Sequence, residues 1–179
     1  MPSIADARIL IMATDGFEES ELFEPLAILR GRGAEVLLAS PSLTPIQATV
    51  RDDPGRTIAP DLAIGDVHAA DYDALVLPGG VINPDALRTN PDAVALVRAF
   101  ATAAKPVAAI CHGPWLLVEA DVIRDRQVTG WPSIRTDLSN AGGHLSEEKV
   151  VRDGHIITAR APDDVDAFTA ALIEAVEGG

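Results

Sequence analysis

The sequence is short of several things. It holds one cysteine in 179 residues, Cys111, so no disulfide can close within the chain, in keeping with a reducing compartment. Lysine and arginine total 14 against 27 aspartates and glutamates, a formal net charge of −13. Such a surface repels a phosphate backbone, which argues against a nucleic-acid partner. No apolar run reaches the length that spans a bilayer, so no membrane partner is expected. The opening "MPSIADARILIMA" lacks a basic stretch and has Asp6 where a signal peptide turns apolar, which makes a cytoplasmic protein the expectation. His68, His144 and His155 are scattered without ligand spacing, so no metal and no cofactor is expected.

What is present reads as one globular domain over residues 1–179, with 47% hydrophobic and 23% charged residues. "ARILIMATDG", "AEVLLAS", "DYDALVLPGG" and "KPVAAI" are apolar runs ended by turn residues, the pattern of strands buried on both faces. Helical spacing separates them. Leu22, Leu26 and Leu29 mark one helix, in which Pro25 suggests a kink or a late start. Asn90, Pro91 and Asp92 mark the start of another, and "GPWLLVEADV" reads as a third. Residues 41–67 read as loops and edge strands. "EKVVRDGHIITAR" reads as a late β-hairpin with a type I′ turn at Asp153-Gly154, and "PDDVDAFTAALIEAVEGG" as a closing helix. Alternating strands and helices imply an α/β fold: a doubly wound, mainly parallel sheet with helices on both faces.

Ligands of such sheets bind at the carboxyl ends of the strands. Three unusual segments fall there: "TDGFEE", "PGGVINPD" and "CHGP". Cys111 stands between an apolar strand and a helix, where a sharp turn can expose a nucleophile and a helix N-terminus can lower a thiol pKa. His112 follows as a candidate base. A buried packing cysteine is the alternative, because free cysteine is among the most buried residue types. Gly79 and Gly80 end another strand, and their N–H groups, with that of His112, could form an oxyanion hole; the plain alternative is a loop turn.

"AAICHGPWLL", "DALVLPGG", "DGFEESEL" and "WPSIRTDLSNAGG" resemble the signature segments of the PfpI-type intracellular proteases of the ThiJ/PfpI superfamily, in the same order from about Ala7 to the final helix. The resemblance implies a flavodoxin-like fold, with Cys111 as the nucleophile and His112 beside it. It also implies a glutamate after the first strand within reach of the thiol, which it places at Glu18. The residues alone leave Glu18 and Glu19 level, and Glu19 and Glu21 can equally be acids favoured at a helix start. An acid shortly after the Pro-Gly-Gly turn reaches the histidine of a neighbouring subunit in the family, which implies Asp85 here and a homodimer or higher homo-oligomer. Asn83, Pro84 and Asp85 can equally just begin a helix. The family places Trp131 near the site, and a packing role suits it as well.

Three function classes follow. One is a cysteine hydrolase in which the thiolate attacks the carbonyl of a peptide, a small aldehyde or a glycated adduct. The family is described as protease, deglycase and glyoxalase, which share that first step. A glutamine amidotransferase needs a late His-x-Glu, and "GHIITAR" has isoleucine at both following positions, so this class is rejected. A non-enzymatic redox sensor or stress-protective protein would use Cys111 as an oxidisable thiol.

Overall fold

The computed structural model describes residues 2–178. In chain order the elements are β1 (Arg8–Met12), β2 (Phe17–Glu18), α1 (Glu19–Gly31), β3 (Glu35–Ser40), β4 (Ile46–Val50), β5 (Asp53–Ile58), β6 (Leu62–Ala63) and β7 (Ala74–Leu77). They continue as α2 (Ile82–Leu87), α3 (Pro91–Thr102), β8 (Val107–Ile110), α4 (Trp115–Glu119), β9 (Gln127–Val128), α5 (Arg135–Asn140), β10 (His144–Leu145), β11 (Val150–Asp153), β12 (Ile156–Ala159) and α6 (Val165–Glu177). The principal sheet has the order β11-β12-β8-β7-β1-β3-β6. Its central five strands are parallel and run in the flavodoxin-like order; only β11 is antiparallel, to β12.

The apolar runs become the central strands because both of their faces are covered. Ile9, Ile11, Val76, Ala108 and Ile110 pack toward α1 and α6, while Leu10, Met12, Leu75, Leu77 and Ala109 pack toward α3, α4 and α5. Alternate residues thus feed two cores, as the two-residue period of a strand requires. Residues 41–67 form the β4–β5 hairpin and the edge strand β6, with β2 joining the hairpin in a small separate sheet. Pro25 lies inside α1, which runs unbroken from Glu19 to Gly31. At the late hairpin Asp153 pairs with Ile156, so the loop is Gly154-His155 rather than Asp153-Gly154. Gly154 has φ +62° and His155 has no positive φ, the pattern of a type II′ turn and not the expected I′. Among the described residues no helix is long and apolar enough to cross a membrane.

The strand order reverses direction at β1, whose neighbours are β3 on one side and β7 on the other. The carboxyl ends of β1, β7 and β8 therefore open at one place, where a crevice forms in this class of sheet.

Candidate active site

Cys111 directly follows β8. Its N–H donates to the Ala159 carbonyl at 3.0 Å, and its carbonyl accepts from Trp131 N–H at 2.9 Å. Gly113 N–H turns back to the Ile110 carbonyl at 2.8 Å. Held on three sides, Cys111 adopts φ +61°, a left-handed conformation that costs a non-glycine residue about 1–3 kcal/mol. The strained elbow expected from the sequence is present. The helix behind it is short: α4 has five residues and begins at Trp115.

The thiol has two titratable neighbours. Sγ lies 3.2 Å from Nδ1 of His112. On the opposite element is Glu21, fully buried on α1. Its Oε2 accepts the Gly79 N–H at 2.7 Å. Oε1 is buried without a hydrogen-bond partner among the described residues, and the carboxyl neighbours the Cys111 thiol.

Burial pushes the Glu21 carboxyl up to about 8, against the pull of the Gly79 N–H, with the nearby Glu18 charge adding to the rise. Burial also raises the Cys111 thiol, and the Glu21 charge raises it further; the N–H groups of Gly80 and His112 pull the other way. The expected lowering by a helix N-terminus is thus overturned: the short α4 starts four positions downstream, and desolvation outweighs it. Burial lowers the His112 pKa, so the ring is neutral near pH 7. It lies edge-on to Trp115 at 5.2 Å and stacked on Trp131 at 5.9 Å. Its far nitrogen, Nε2, is 3.2 Å from Ser133 Oγ.

The structure brings together Cys111, His112, Gly79 and Gly80. It does not place Glu18 at the thiol: that carboxylate accepts from Arg51 N–H at 3.1 Å. Glu19 is paired with Arg56 at 2.8 Å. The acid facing sulfur is Glu21, in the first turn of α1, and the physical reason is periodicity. Glu21, Pro25 and Leu29 recur every four residues and are all buried, so the acid sits on the apolar stripe that faces the sheet. That spacing was the available signal.

Gly79 also differs from expectation. Its N–H is spent on Glu21, which leaves the N–H groups of Gly80 and His112 pointing at the thiol. Gly80 must be glycine, because it has φ +73° and a Cβ would collide with the Gly16 carbonyl. Asn83 is a buried strap: its Oδ1 accepts from Thr14 N–H at 2.8 Å, and its Nδ2 donates to the Pro78 and Gly79 carbonyls at 2.9 and 3.0 Å. It ties the end of β1 to the end of β7. Asp85 is exposed on α2, and the ring nitrogens of His112 face Cys111 and Ser133 within the chain. Among the described residues no group of three His, Cys, Asp or Glu could hold a metal ion.

A family model described as the DJ-1/PfpI family matches residues 7–175. The chain belongs to the DJ-1/PfpI family. It is similar to protein/nucleic acid deglycase 2 of Escherichia coli, with 40% identity over 90% of this chain and 92% of that one. A deglycase of Pyrococcus abyssi is 38% identical over 93% of this chain and 98% of its own length. Among solved structures, a two-domain protein of Anabaena variabilis with DJ-1/ThiJ/PfpI-like and ferritin-like domains superposes with a TM-score of 0.91 at 32% identity. That match covers 96% of this chain and 48% of the other, so the chain spans about half of that protein. The DJ-1/PfpI membership accounts for the flavodoxin-like strand order.

Proposed function

We propose that this chain is a cysteine-dependent enzyme of the hydrolase/deglycase type, and that its substrate is a small carbonyl compound: an α-oxoaldehyde such as methylglyoxal, or its early adduct on an amino group. The observation that carries this reading is the Cys111 sulfur, 3.2 Å from His112 Nδ1 on a strained elbow, in a residue only 6% exposed. A small electrophile can enter so narrow an opening; an extended polypeptide needs a groove.

In the first step neutral His112 takes the thiol proton at Nδ1. Sulfur bonds to the carbonyl carbon, and the carbonyl electron pair moves to oxygen. The N–H groups of Gly80 and His112 stabilise that oxygen, and a donor of this kind is worth about a hundred- to a thousandfold in rate. Glu21, with its carboxyl pushed up to about 8, is protonated near neutral pH and removes no stabilisation from the thiolate. Asp85 joins the reading through a second copy of the chain, where its carboxylate would share the Nε2–H of His112 with Ser133. It stands beside Val81 and Ile82, apolar residues 54% and 61% exposed, which favours burial of this face in a homo-oligomer.

Release of lactate from methylglyoxal, and of free amine from its adducts, tests the proposal. Wild type should turn over and Cys111→Ala should lose at least about a thousandfold. Equal rates for the two would remove the enzyme reading, and cleavage of casein in place of either small substrate would move it to peptides. A monomer by size-exclusion would remove Asp85 from the mechanism. The redox-sensor alternative draws less support, because a sensor thiol is exposed and of low pKa whereas Cys111 is buried and raised.

A further inference from the structure

Both ring nitrogens of His112 have partners within the chain. Nδ1 faces Cys111 Sγ at 3.2 Å and Nε2 faces Ser133 Oγ at 3.2 Å. The two indoles of Trp115 and Trp131 supply apolar contact to the ring and no polar alternative. Ser133 belongs to the short turn Pro132–Ile134, which three features hold in place. Trp131 N–H bonds to the Cys111 carbonyl at 2.9 Å, Ile134 N–H bonds to the Trp131 carbonyl at 3.1 Å, and the Ile134 side chain is fully buried. The serine is thus anchored to the same elbow as the cysteine.

We propose that Ser133 is a positioning residue: its hydroxyl oxygen accepts the Nε2–H of His112 and so keeps the Nδ1 lone pair facing the Cys111 sulfur. The inference rests on the reading of Cys111 and His112 as nucleophile and base. A neutral imidazole carries its proton on one nitrogen. A serine hydroxyl can accept from Nε2–H or donate to Nε2, and the need for a base at Nδ1 selects the first arrangement. With the proton on Nδ1 the ring would offer the thiol a second donor and no base. With the proton on Nε2, S–H donates to Nδ1. After the ring takes that proton, both N–H groups still have acceptors, sulfur at one end and Oγ at the other. Nothing in "GWPSIR" distinguishes this serine by type, since it lies 21 positions from His112 and only the fold brings it there.

Nitrogen-15 spectra of the histidine rings test the proposal directly, and with four histidines the signals are separable. His112→Asn identifies the His112 signals. Wild type should show His112 protonated at Nε2 and bare at Nδ1. Ser133→Ala should mix the tautomers, lower kcat for methylglyoxal about tenfold with KM unchanged, and slow alkylation of Cys111 by iodoacetamide; Ser133→Thr should restore all three. Protonation at Nδ1 in wild type, or wild-type tautomer and alkylation rate in Ser133→Ala, would overturn the role of Ser133. Should no variant act on methylglyoxal, the ring spectra and alkylation rates still decide Ser133, and the failure belongs to the proposed reaction alone.

Discussion

Two helix entrances in this chain solve the same local problem in opposite ways. Into α3 the chain passes through Asn90, whose side chain accepts from Asp92 N–H at 3.0 Å and Ala93 N–H at 3.1 Å, with Pro91 in the first position. Every residue there is in a comfortable conformation, and the helix runs for twelve residues. Into α4 the chain passes through Cys111 at φ +61°, no side chain caps the start, and the helix lasts five residues. A buried acid with one unmatched oxygen stands beside it. Where local and global preferences agree, the segment serves stability. Where they conflict and the surroundings hold the conflict in place, the segment is a candidate site.

The contrast can be broken at several points. Gly80→Ala should be the most damaging change, because it adds left-handed strain and a collision with the Gly16 carbonyl beside the thiol. A loss of about 4 kcal/mol in urea unfolding is expected, and wild-type stability would dissolve the distinction.

Glu21→Gln should reveal the buried carboxyl through pH. Its pKa is about 8 in the folded chain against an ordinary value of 4.5, so the folded state holds a proton that the unfolded state releases between those values. The stability that this proton contributes is fully present below the lower value and is lost as pH rises through the upper one. Wild type should therefore weaken by about 4 kcal/mol between pH 5 and 9 relative to the glutamine variant, which keeps an acceptor for Gly79 and cannot ionise. Parallel urea midpoints for the two proteins across that range measure it, and curves of the same shape would return Glu21 to a solvated acid.

Asn90→Ala should cost about 1 kcal/mol and leave turnover unchanged, as expected of a cap remote from the sulfur. Cys111→Gly should show the reverse pattern. Relief of strain offsets the lost side-chain contacts, so unfolding should stay within about 1 kcal/mol of wild type while turnover vanishes. A marked loss of stability there would make the cysteine a packing residue.

Much of the fold was legible because strands buried on both faces need continuous apolar runs, and each of the four runs became a strand of the principal sheet. The α3 cap was legible because Asn-Pro-Asp carries its own geometry. Cys111 was legible because a strand, a cysteine, glycine and a helix are consecutive. Its partners were harder. The resemblance placed Glu18 at the thiol and the residues alone left Glu18 and Glu19 level, whereas helical rotation buries Glu21 and leaves the other two to Arg51 and Arg56. Asn83 resembled a helix start and proved to be a strap between two loops.

The sequence by itself determined the alternation of elements and the place of Cys111 on a sharp turn after a core strand, because each depends on neighbours along the chain. Only the tertiary structure decided which acid faces the sulfur, that Gly79 holds that acid instead of a substrate oxygen, and that Ser133 meets the far side of His112. Those choices depend on distances between segments tens of residues apart, and on burial, which shifts a carboxyl from its ordinary range to about 8 and has no counterpart in a linear chain.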